Sequence, residues 1–279
     1  MISKAINSLR RLLSRETSSG RFVPEIDGLR FFAIALVMVF HVEAFVLVKS
    51  AITFSAPPER SWVHAVVSQG FIGVRLFFAI SGFILAVPFA RRYLEAAQPV
   101  SLRAYFLRRV TRIEPPYVIA TTVSLFSFAL VKHIPVRELL PHWAASIFYV
   151  HHLLYKAEPL LGVGWSLEIE VQFYLLAPLL TRVFSIRSRP TRLATLAGAA
   201  VFFAALQRLL PPGAHFYLVG QLHFFLVGFI LADFYIVNGS RPAGRPALWD
   251  WAAIAAWPAL LWGAALPERW MHLATSPAI

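Results

Sequence analysis

The sequence predicts an all-α, polytopic bundle of transmembrane helices, with about seven spans and one re-entrant or outer surface segment. Three observations carry this. Of 279 residues, 58% are hydrophobic and only 14% are charged, against about 25% charged in a typical soluble domain. The apolar residues form continuous blocks of about 20, enough to cross a hydrocarbon core roughly 30 Å thick as helices. These blocks are too long and too continuous for barrel strands, the other structure that satisfies its backbone in lipid.

Taken in order, residues 1–22 are basic, with Lys4, Arg10, Arg11, Arg15 and Arg21, while Ile2, Ile6, Leu9 and Leu13 recur at helical spacing. That pattern predicts a short amphipathic helix lying on the membrane surface. It lacks the apolar core and small-residue cleavage site of a signal peptide. Residues 23–279 read as a single membrane domain. Its first span starts at Asp27, a natural N-cap, and runs to about Val48. The second covers about 70–90. A basic loop follows, with Arg91, Arg92, Arg103, Arg108, Arg109 and Arg112. The third span runs from about Pro116 to Val131, with Pro115 and Pro116 at its first turn. The fourth covers about 165–184, and later spans about 193–210, 216–237 and 248–266.

The block 143–155 is too short to cross comfortably, and charge bias decides its status. If it does not span, the N-terminus, the 91–112 and 182–192 loops and the loop with Arg241 and Arg245 share one side. That is the positive-inside pattern, with a cytoplasmic N-terminus.

The net charge of +12 fits anionic lipid head groups. No aromatic-basic platform for nucleic acid accompanies it. The chain has no cysteine, which excludes disulfides, thiolate metal sites and a cysteine acyl-enzyme.

Polar groups inside spans are costly, so each is a functional candidate. Arg30 and His41 are 11 residues apart, on nearly the same face of one helix and separated by about 16 Å. This predicts Arg30 at the cytoplasmic interface, holding an anionic group, and His41 near mid-bilayer as a proton acceptor. The competing reading is a packed histidine and a snorkelling arginine. Arg109 and Arg112 are three apart and share a face, which suits a phosphate-bearing ligand. Positive-inside anchoring is the alternative for loop arginines, and it is the better reading for Arg91, Arg92 and Arg103. Glu168 and Glu170 point about 200° apart, so they cannot share a site. One of them is expected to pair with Arg75. Ser81 and Ser166 lack a G-x-S-x-G elbow, so no serine nucleophile is expected. His151 and His152 are adjacent and cannot both face one metal on a helix, so no metal site is expected. His223 reads as a helix–helix contact, and Gly228 as a point of close helix approach.

Five stretches together resemble the acyltransferase-3 family of bacterial integral membrane acyltransferases, of the O-antigen and exopolysaccharide O-acetylase type. They are EIDGLRFFAIALVMVFH, GVRLFFAISGFIL, RRVTRIEPPY, GWSLEIEVQFYLLAPLL and HFFLVGFILA, spread over about residues 24–235. The resemblance implies a multi-pass protein of the bacterial inner membrane. It implies a cytoplasmic acyl-CoA donor, acetyl-CoA chemistry without a metal, and a carbohydrate or glycolipid acceptor such as lipopolysaccharide on the outer side. It puts the essential Arg and His at Arg30 and His41, the CoA-phosphate arginines at Arg109 and Arg112, and a further catalytic carboxylate at Glu170. Three positions depart from the family pattern. Arg75 stands where an acidic residue is usual, Glu168 where a small polar residue is usual, and Val171 where Glu is usual. The family typically has about ten spans, so the chain reads as C-terminally shortened. The alternative reading is an inactive or partner membrane subunit.

Overall fold

A computed structural model describes residues 24–54, 67–156 and 159–239. The expected amphipathic segment 1–22, the expected span 248–266, and Arg241 and Arg245 lie outside the described residues. The described chain forms eight helices: α1 (Pro24–Phe54), α2 (Ile72–Leu94), α3 (Leu102–Val131), α4 (Val136–Ile147), α5 (His151–Leu154), α6 (Trp165–Leu180), α7 (Arg189–Leu209) and α8 (Leu218–Asn238). Five described stretches are long and apolar enough to cross a membrane: 25–47, 68–94, 102–131, 189–209 and 218–238. The protein is an all-α membrane bundle. The expected fourth span is shorter, a 16-residue α6 continued by a 3-10 turn over Thr181–Ser185.

Three local expectations change. Asp27 does not cap α1; the helix already starts at Pro24, and Asp27 lies in its first turn, paired with Arg30. The third span starts at Leu102, not at Pro116. Ser101 caps it by accepting the N–H of Ala104 at 3.4 Å, so Pro115 and Pro116 fall inside the helix. Neighbouring helices make such prolines tolerable in a membrane. The arginines from 103 to 112, expected in a loop, are therefore helical. Block 143–155 is two short helices broken at Phe148–Val150, where Tyr149 takes φ 57°. A 12-residue α4 is only about 18 Å long, too short to cross.

The core is the contact of α2 with α8. A Cβ on Gly82 would stand 2.2 Å from the Phe225 carbonyl oxygen, and one on Gly228 would stand 2.2 Å from that of Ala79. Only glycine lets the two backbones meet this closely. Phe78 stacks on Phe225 at 4.8 Å, and Phe83 meets Tyr235 edge-on at 5.5 Å, so the two helices run the same way. From α6, Phe173 stacks on Phe225 at 3.9 Å. The side of α1 that carries Phe31, Met38, Val42 and Phe45 is exposed, as a lipid-facing surface is.

Glycines also set the register of α1. Cβ atoms on Gly73 and Gly70 would strike the carbonyl oxygens of Ala33 (2.4 Å) and Leu36 (2.3 Å), and Gly70 also faces Phe40. Gly70 thus lies between Leu36 and Phe40, and Gly73 between Ala33 and Val37. The helices are antiparallel, so Arg30 falls level with about Phe78, and His41 with about Val67.

Candidate functional site

Ser81 is the central residue of the apolar stretch Ser68–Leu94. There its hydroxyl donates to Glu170 Oε1 at 2.5 Å. Tyr174, one turn further along α6, donates its hydroxyl to the same oxygen at 2.5 Å. No described residue hydrogen-bonds Glu170 Oε2. An oriented carboxylate oxygen is thus left open at mid-span, where an ionisable group is costly without a function. The Tyr105 hydroxyl donates to the Tyr174 carbonyl at 3.2 Å, tying α3 to α6.

The guanidinium of Arg109 lies over the Tyr174 ring, 5.3 Å from its centroid, a cation–π contact. Arg109 also lines a pocket of about 450 Å³ between the end of α2 and the start of α3, together with Arg91, Arg108, Gln98, Ser101 and Tyr105. Three forked cations around one concavity suit phosphate oxygens. Arg112 is exposed, and it is Arg91 and Arg108 that join Arg109 at the pocket.

Arg30 and His41 sit on one uninterrupted helix, which keeps them on nearly the same face. Gly70 and Gly73 draw α1 against the start of α2, so Arg30 is level with about Phe78, about 24 Å of helix short of the end of α2 at Leu94, and His41 is level with about Val67. Within the apolar stretch 25–47 of α1 itself, Arg30 lies near the start and His41 a little beyond the middle. Arg30 pairs with Asp27 at 3.4 Å. His41 is exposed and meets the Phe40 ring at 5.4 Å. No hydrogen bond among the described residues joins His41 to Glu170.

Glu168 faces away from Glu170, as their spacing requires. It is buried and accepts from the His152 backbone N–H (3.2 Å), from His152 Nδ1 (2.9 Å) and from Gln172 Nε2 (3.4 Å). Neither glutamate pairs with Arg75, whose guanidinium lies over Phe71 and Phe224. Their donors lie elsewhere: His152 and Gln172 for Glu168, and Ser81 and Tyr174, both on Oε1, for Glu170. Beside this dyad, His151 is fully buried, with Nε2 3.0 Å from His142 Nδ1. Burial, and then the neighbouring His142 and His152, lower the His151 pKa to about 4. Burial, with Glu114, pushes the Tyr149 phenol well above its ordinary value.

Sequence reasoning missed Tyr174, Arg91 and Arg108 as site residues, and passed over Ser81. Tyr174 had a signal, since it is i+4 from Glu170 and must face the same way. Ser81 and Arg91 had none, because their partners are on other helices.

A family profile described as an acyltransferase domain, that of the acyltransferase-3 family, matches residues 23–277. The chain belongs to this family. It is similar to O-acetyltransferase OatA of Staphylococcus aureus, 30% identical over 183 residues, covering 62% of this chain and 27% of the relative. Peptidoglycan O-acetyltransferase OatA of Listeria monocytogenes is 31% identical over 179 residues, covering 60% and 25%. A putative O-acetyltransferase of S. aureus is 27% identical over 181 residues, covering 61% and 26%. The aligned part of the chain spans about a quarter of the length of these relatives. No solved structure matches.

Proposed function

We propose that this acyltransferase moves an acetyl group from acyl-CoA, bound at the arginine-rich end, to a hydroxyl of a cell-surface carbohydrate. The observation that carries the reading is the double role of Arg109. It lines the three-arginine pocket and lies over Tyr174, whose hydroxyl holds Glu170. A phosphate-binding concavity is thereby linked, through one side chain and one ring, to a carboxylate at mid-span. In this reading Arg109, with Arg91, Arg108 and the exposed Arg112 nearby, takes the phosphates. Arg30 meets the donor deeper in. The acyl end points toward the level of His41, which acts as general base on the acceptor hydroxyl. From the level of Ile84 in the pocket wall to that of Val67 is about 26 Å of helix, which the extended arm of CoA has to cover. The hydroxyl oxygen attacks the thioester carbonyl carbon, the C–S bond breaks, and the hydroxyl proton passes to His41 and on to the leaving thiolate.

The positive-inside rule supports a cytoplasmic Arg-rich end and a cytoplasmic N-terminus, in a protein of the inner membrane. The OatA relatives support an acetyl donor, and the Listeria name supports a peptidoglycan acceptor in preference to lipopolysaccharide. The test is His41→Ala in cells, with base-labile acetyl measured on purified surface glycans. Loss of the ester is expected, and unchanged acetylation overturns the assignment.

A further inference from the structure

The end of the bundle remote from the arginine pocket carries a second constellation that donor binding does not use. His152 gives Glu168 both its backbone N–H and its ring Nδ1. A carboxylate only accepts, so Nδ1 carries a hydrogen, and in the neutral ring Nε2 then holds the lone pair. No described residue hydrogen-bonds that Nε2. The ring is held in place, stacked on Phe216 at 4.9 Å and edge-on to His151 at 5.6 Å. Phe216 also meets Trp165 at 5.5 Å, and both rings are only partly buried. Next to the dyad, the buried Nδ1 of His151 has no hydrogen-bond partner among the described residues. The backbone at this point is strained as well. Tyr149 takes a left-handed φ of 57°, pinned by Gln172 Nε2 on its carbonyl at 2.9 Å and by its stack on Tyr117 at 5.0 Å. Strain of this kind persists where the surroundings over-determine it.

A purely structural ion pair would not need an oriented imidazole whose second nitrogen stays open. We propose that the His152–Glu168 dyad is an acceptor subsite. Nε2 of His152 accepts the hydrogen bond of a carbohydrate hydroxyl, and Phe216 and Trp165 offer apolar faces to the sugar ring. Glu168 fixes the tautomer and the ring orientation, as carboxylate partners of functional histidines do. This subsite rests on the acyl-transfer reading above, and it lies at the same end as the level of His41.

The test uses His152→Asn and His152→Ala in the full chain. Asparagine keeps a donor to Glu168 near the position of Nδ1 but has nothing at Nε2. Three quantities are measured: base-labile acetyl on the surface glycan of complemented deletion cells, acetyl-CoA hydrolysis by the purified protein without acceptor, and thermal unfolding. H152N is expected to lower glycan acetylation about tenfold, the effect of losing one good hydrogen bond, with hydrolysis and melting unchanged. H152A is expected to lower acetylation and to melt earlier. If H152N acetylates like the unsubstituted chain, the dyad is only a tie between α5 and α6 and the proposal is overturned. Parallel loss of acetyl-CoA hydrolysis in H152N overturns it equally. An unsubstituted chain that neither hydrolyses acetyl-CoA nor acetylates glycan refutes the acyl-transfer reading itself, and this inference with it.

Discussion

Tyr174 donates its hydroxyl to Glu170 Oε1 at 2.5 Å across one turn of α6, while its ring carries the guanidinium of Arg109. The two ends of one side chain thus join the arginine pocket to the carboxylate at mid-span. Tyr174→Phe keeps the ring and removes the hydroxyl. A hydrogen bond to a charged group is worth about 1.5–3 kcal/mol, so acetyl-CoA turnover should fall about tenfold or more. The purified protein should show equal losses in kcat and kcat/KM. Ser81→Ala removes the other donor to the same oxygen, and the double variant should be non-additive.

The pocket makes a different kinetic prediction. Arg108 lines it and is exposed. Arg108→Gln should raise the KM for acetyl-CoA several-fold, by about five, at unchanged kcat. The difference should shrink at high salt, because exposed charges are screened. A kcat effect without a KM effect would remove Arg108 from phosphate binding.

Gly228 predicts a folding defect. Its Cβ position lies 2.2 Å from the Ala79 carbonyl oxygen and 2.4 Å from the Phe83 nitrogen, both backbone atoms that cannot swing aside. Gly228→Val should separate α2 from α8 and cost about 1–3 kcal/mol or more. Thermal unfolding in detergent measures it, and a melting temperature like that of the parent would contradict the observed packing.

Asp233 is fully buried between Arg189 at 3.2 Å and a shorter contact from Arg192, which itself donates to the Ile186 carbonyl at 2.7 Å. Asp233→Ala strands buried arginine charge, at a cost of about 3–5 kcal/mol. Replacing Arg192 and Asp233 together by Met and Leu should recover much of the loss, because the buried Arg192 charge goes with its partner and only the partly exposed Arg189 is left without its carboxylate. Melting temperatures of the single and double variants decide it.

His151 predicts an acid-dependent loss of stability. Its folded pKa of about 4 lies below an ordinary histidine value of about 6.5. Between those values the unfolded chain binds a proton that the folded chain does not. Stability contributed by this group is therefore complete above about pH 6.5 and falls progressively as the pH drops toward 4. His151→Phe should flatten the melting temperature over that window, and an unchanged slope would assign the acid sensitivity to another group.

What was legible in the sequence depended on the range of the interaction. The spacing of Arg30 and His41 on one helix, the divergence of Glu168 from Glu170, and the closeness allowed by Gly228 are local helix geometry, and each is present in the structure. The start of α3 was misread because Pro115 and Pro116 look like a helix beginning, while the true cap at Ser101 precedes a polar stretch with no apolar pattern to mark it.

The sequence by itself determined that this is an all-α membrane protein of the acyltransferase-3 family, because hydropathy blocks and motif order are properties of consecutive residues. It also placed the polar residues on their helices. Only the tertiary structure decided their relative levels and their partners. Level follows from register, and Gly70 and Gly73 set α1 against the start of α2, which brings Arg30 near Phe78 and His41 near Val67. Partners follow from which faces meet. Glu170 found Ser81 on α2 and Glu168 found His152 on α5, contacts between helices distant in sequence that no local spacing announces.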